Sequence, residues 1–79
     1  MRDVSSEVMA FFAATPAGSA VKPETALMEE GVLDSTGLVQ LIMFLESTFG
    51  IAVADSDVVP DTFATPNAIM AFVSAKGVR

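Results

Sequence analysis

The stretch from about Ser35 to Phe49 constrains the fold more than any other part of the chain. Leu38, Leu41, Ile42, Leu45 and Phe49 recur at helical spacing and fall on one stripe, whereas a strand would scatter them over two faces. Gly50 follows at the point where a helix closes most easily in the left-handed conformation. The opposite face carries Thr36, Gln40, Met43 and Ser47, with Val39 on its shoulder. A helix with one apolar stripe has to bury it against other elements, so the rest of the chain must supply them.

Two further helices answer that need. Residues 3 to 14 place Val4, Val8, Phe11 and Phe12 on one face, with Asp3 as the expected N-cap and Pro16 and Gly18 ending the segment. Near the C-terminus, Thr65 is placed to cap a helix whose first residue is Pro66, where a missing N–H costs nothing. Ile69, Phe72 and Val73 would be its inward face. Between the helices, Ile51 and Val53 alternate with Ala52 and Ala54 over too few residues for a strand, so an extended connection packing two side chains inward is expected. A short helical turn is expected at about residues 58 to 63, capped by Ser56 or Asp57. Residues 15 to 34 form a long first loop containing Pro16, Gly18, Pro23 and Gly31, with Leu27 and Leu33 pinning it to the core. The expected fold is all-α, with three main helices, one short extra helix and a long first loop. At 79 residues the chain is read as a single domain, 1–79. A core of this size is stabilised by only roughly 3–5 kcal/mol, which leaves little room for a deep catalytic cavity.

Composition narrows the function. There is no Cys and no His, which removes disulfides, thiolate metal sites and the commonest general base. The net charge is −6, and from Lys22 to Lys76 the chain carries eight acids without one intervening base. Such a surface repels phosphate backbones and anionic lipid, so neither nucleic acid nor a membrane is an expected partner. No uncharged run has the length of a membrane span. The apolar run Val8 to Ala14 before Pro16 could suggest a signal peptide, but Asp3 and Glu7 stand where cations belong, and a cytoplasmic protein is expected. Asp55-Ser56-Asp57 starts like a calcium loop, yet Val59 takes a ligand position and Pro60 the place of the required Gly. Glu29 and Glu30 read as a solvated pair.

Ser35 sits where the first loop becomes the central helix. Serines at helix starts usually serve only as caps; Asp34 could be the cap instead, which would free Ser35 for the first turn. A serine nucleophile needs a base within hydrogen-bond reach. None is at hand: Lys22 and Lys76 lie far off in sequence, and acids crowd the serine. The residues therefore argue against an enzyme and leave open a serine that receives a group under catalysis by another protein. A helix N-terminus suits an attached phosphate, because its free N–H groups and positive dipole end favour negative charge.

The run Glu30-Gly31-Val32-Leu33-Asp34-Ser35, the apolar helix through Leu38, Leu41, Ile42 and Leu45, then Phe49-Gly50-Ile51, Asp61-Thr62-Phe63 and Thr65-Pro66 together resemble the acyl carrier and peptidyl carrier protein family. The resemblance covers most of the chain, although the first helix matches only in kind. It implies a right-handed four-helix carrier-protein bundle whose third helix is short. It further implies that Ser35 accepts 4′-phosphopantetheine from coenzyme A through a Mg²⁺-supplying phosphopantetheinyl transferase, that Asp34 helps dock this enzyme, and that the arm's thiol holds an acyl or aminoacyl group as a thioester for loading and downstream biosynthetic enzymes.

The chain departs from the fatty-acid branch at Thr36, where Leu is common, and on the outward face of the central helix, which is usually rich in Glu. Here Thr36, Val39, Gln40 and Met43 are the expected partner surface, with Val39 and Met43 alternatively part of the core. The chain looks closer to stand-alone aminoacyl or D-alanyl carriers, and the run Phe63-Ala64-Thr65-Pro66-Asn67 agrees. A monomeric, free-standing carrier of an amino or hydroxy acid in secondary metabolism is the leading expectation. A fatty-acid carrier and a helical interaction module without cargo are the alternatives.

Overall fold

The computed structural model describes residues 3–15 and 20–77, and Pro16 and Gly18 lie outside them. The chain order is α1 (Val4–Ala13), α2 (Ser35–Phe49), a 3₁₀ turn (Asp55–Asp57) and α3 (Pro66–Lys76), with no strand among the described residues. The all-α expectation is met. α2 starts and stops where the sequence placed it. Asp34 caps it, and Gly50 closes it at φ 67°, donating its N–H to the Glu46 carbonyl at 3.0 Å.

One core joins the three α-helices. Val8 and Phe12 come from α1, Leu41, Leu45 and Phe49 from α2, and Ile69 and Val73 from α3. Val21, Leu27, Leu33, Ile51 and Phe63 reach it from the connections. α1 and α3 pack against each other, while Phe11 of α1 meets Phe44 of α2 with ring centroids 5.1 Å apart. Phe11 and Phe72, expected to face inward, are only half-buried. Phe72 leans on Phe63 at 5.8 Å, and the Lys76 ammonium lies 5.6 Å from its ring centroid.

The first loop is held by its own backbone. Leu27 sits at the centre: its carbonyl accepts from the N–H groups of Val32 (2.8 Å) and Leu33 (3.0 Å), and its N–H donates to the Ala64 carbonyl at 2.9 Å. Asn67 N–H donates to the Pro23 carbonyl at 3.0 Å, so the loop is stapled to the start of α3. Gly31 turns the chain at φ 73°, a conformation that costs glycine little.

Two local details depart from expectation. The short turn forms at Asp55–Asp57, ahead of the predicted 58 to 63; residues 59 to 65 follow as turns, with Phe63 N–H donating to the Pro60 carbonyl at 3.3 Å. Pro60 explains the shift, since it has no N–H and disfavours helical backbone at Val59. Asp57 does act as a cap, accepting from Ala54 N–H at 3.0 Å, but at the far end of the turn. At α1, Asp3 occupies the cap position and its carbonyl accepts from Glu7 N–H at 3.0 Å, but its side chain bonds no backbone N–H; the carboxylate instead accepts from the Ser6 hydroxyl at 2.6 Å.

Candidate functional site

The site is built at the start of α2. Leu33, buried beneath it, anchors the end of the loop. Asp34 is extended, at φ −116° and ψ −172°, and its Oδ1 accepts from Gly37 N–H at 2.7 Å. Asp34 is therefore the cap, one of the two arrangements the sequence left open, and Ser35 is the first helical residue. Ser35 is exposed, and its hydroxyl makes no hydrogen bond to a described residue. The N–H groups of Ser35 and Thr36 likewise have no acceptor there. Two open amides and a free hydroxyl thus converge at the positive end of a helix dipole.

Gly37 is a part of the site that the sequence reading missed. A Cβ built on it would lie 3.2 Å from Asp34 Oδ1 and 3.4 Å from Leu33 Cδ1, so glycine lets the cap close tightly over the first turn. The available signal was its cost: glycine inside a helix is unfavourable by about 1 kcal/mol relative to alanine.

The outward face of α2 is uncharged along most of its length. Thr36 and Gln40 are exposed, and Val39 and Met43 retain 58% and 63% of their surface. Exposure on this scale removes the core reading of both apolar side chains. Glu46, the one acid on that face, turns back and accepts from Val53 N–H at 3.0 Å. Among the described residues no three His, Cys, Asp or Glu side chains come together as a metal site, and no helix is long and apolar enough to cross a membrane.

Among the described residues, Ser35 is an exposed serine at the start of the central helix with no lysine or arginine bonded to it. Comparison with known proteins agrees in kind. The family described as "Phosphopantetheine attachment site" matches residues 9–73. The D-alanyl carrier protein of Bacillus licheniformis is 37% identical over 70 residues, covering 86% of this chain and 90% of that protein. The D-alanyl carrier protein of Bacillus pumilus is 47% identical over 47 residues, 60% of each chain, and that of Abiotrophia defectiva 38% over 50 residues, 63% of each. In these last two cases the match spans less than two thirds of the relative's length.

The chain belongs to this phosphopantetheine-attachment family, whose members are carriers and not catalysts. Its domain is of the kind on which 4′-phosphopantetheine is covalently held. The residues at the start of α2 fit such a group: an exposed hydroxyl would offer an ester oxygen, and the two open amides would suit the phosphate that follows it.

Proposed function

We propose that Ser35 is the residue that accepts 4′-phosphopantetheine, and that the protein carries an aminoacyl group on it. The observation that supports this most is the exposed hydroxyl of Ser35, first in its helix and without a hydrogen bond to any described residue. In the transfer, the serine oxygen bonds to the phosphorus of coenzyme A that bears the pantetheine. The pyrophosphate P–O bond breaks, 3′,5′-adenosine bisphosphate leaves, and the hydroxyl proton passes to a base of the transferase, since this chain has none nearby. When bound, the arm supplies a thiol that holds the cargo as a thioester.

Everything else the chain does is positioning. Asp34 fixes the first turn and offers the transferase a charge beside the acceptor. Thr36, Val39, Gln40 and Met43 give loading and downstream enzymes a largely uncharged face to dock on. The tether raises the cargo's effective concentration at each of their active sites. An amino acid is favoured as cargo because the relatives found are named D-alanyl carrier proteins, with D-alanine the first to test. We assign the chain to a biosynthetic pathway of secondary metabolism, as a single carrier domain over 1–79 that acts as a monomer in the cytoplasm, where coenzyme A is available.

Incubation with coenzyme A and a broad-specificity transferase is expected to add the mass of one arm, and Ser35→Ala to prevent it. Wild-type protein that stays unmodified would refute the assignment.

A further inference from the structure

Gly37 is the third residue of α2, where alanine would be the better helix former. Its backbone does not call for glycine: the positive-φ glycines are Gly31, Gly50 and Gly77, and Gly37 is an ordinary helical residue. What glycine supplies there is room. An added Cβ would lie 3.2 Å from Asp34 Oδ1 and 3.4 Å from Leu33 Cδ1. Leu33 is packed into the core and has nowhere to retreat. Asp34 is exposed, so its carboxylate is the partner that has to give by a few tenths of an ångström, stretching the 2.7 Å bond from Gly37 N–H. α3 shows the looser alternative. Its third residue is Ala68, which carries a Cβ, and there the cap bond to Thr65 is 3.1 Å long.

We infer that Gly37 is a positioning residue for arm attachment: by leaving out a Cβ it lets the Asp34 carboxylate seat tightly on the first turn of α2, next to the acceptor, where the transferase meets it; this rests on Ser35 being the attachment residue. Gly37 acts through Asp34, the neighbour of Ser35 in the chain. A carboxylate pinned by its cap bond presents its charge in one place. Once unseated, it spreads over several rotamers, and a docking enzyme has to select the seated one. The same displacement leaves Gly37 N–H without its acceptor and loosens the turn that carries the serine. Helix propensity is thus given up at this position in return for a fixed charge.

Arm attachment is measured on the full-length protein with coenzyme A and a broad-specificity transferase, at a temperature well below the melting of every variant. Gly37→Ala gains helix propensity and loses part of the cap, so its melting temperature is expected to stay close to that of the wild type. Unseating the cap by about fivefold leaves about a fifth of the molecules competent to dock. The KM for the carrier should therefore rise about fivefold with kcat held, since the Ser35 hydroxyl is untouched. The amide hydrogen of residue 37 should also exchange faster with solvent. In an Asp34→Ala background there is no carboxylate to displace, and Gly37→Ala is expected to leave KM where Asp34→Ala alone puts it. An unchanged KM in Gly37→Ala overturns the inference. So does an equal rise in both backgrounds, which would mean that the added methyl meets the transferase directly. Either result leaves the Ser35 assignment standing, whereas wild-type protein without any mass gain removes both.

Discussion

α2 and α3 begin with the same device and put it to opposite uses. In each, an extended residue caps the helix by accepting the N–H three positions on: Asp34 from Gly37 at 2.7 Å, Thr65 from Ala68 at 3.1 Å. At α3 the remaining amides are closed off. Pro66 has no N–H and is buried, and Asn67 donates to the Pro23 carbonyl. At α2 the same two positions are Ser35 and Thr36, both exposed and both with N–H groups that meet no acceptor among the described residues. The cap therefore explains helix formation at both ends, and only the following two residues distinguish a closed start from an open one. A buried proline makes the end part of the core; an exposed serine keeps it available to visitors.

The comparison can be broken at the residue that joins the two ends. Leu27 is fully buried, and its backbone bonds both to Leu33, just before α2, and to Ala64, just before α3. Leu27→Ala is expected to cost about 2–5 kcal/mol, enough to unfold much of so small a domain, as read by denaturant or thermal melting. Thr65→Ala should cost about 1 kcal/mol of stability and leave the rate of arm attachment unchanged. Asp34→Asn sharpens the contrast, since asparagine caps as well as aspartate. Melting should hold, while attachment slows if the charge serves the transferase; an unaltered rate would limit Asp34 to capping. Ser35→Ala should change stability by no more than about 0.5 kcal/mol, because nothing in the fold depends on its hydroxyl.

The smallest effect belongs to the far end of α3. The Lys76 ammonium lies 2.7 Å from Asp57 Oδ2, and this hydrogen bond, followed by the Ala54 N–H, holds the Asp57 carboxyl below its ordinary value of 3.8. A carboxyl whose pKa falls on folding stabilises the protein above its unfolded pKa, and the contribution is lost as pH drops through the folded value. Both side chains are partly exposed, so the effect is slight and screened by salt. Asp57→Asn should flatten the acid limb of a melting-temperature profile below about pH 4 and leave neutral pH nearly unchanged.

Those outcomes also mark what the sequence made legible. The limits of α2 could be read because both ends are chemical signals, an aspartate and a glycine, flanking a stripe of the right period. The open state of Ser35 could not, since it depends on Asp34 taking the cap, and sequence allowed either residue. The 3₁₀ turn was displaced because Pro60 outweighed the capping pattern around it. The meeting of Phe11 with Phe44 was out of reach altogether: it arises where α1 meets α2, and no local period encodes that register. The fate of Val39 and Met43 was likewise decided by which sides of α2 its neighbours leave uncovered.

The most direct test is to locate the modification within the chain. After reaction with coenzyme A and a transferase, peptide fragmentation should find a single arm, on Ser35 alone. An arm on any other serine, such as Ser47, Ser56 or Ser74, would contradict the view that an open helix start made this residue the acceptor.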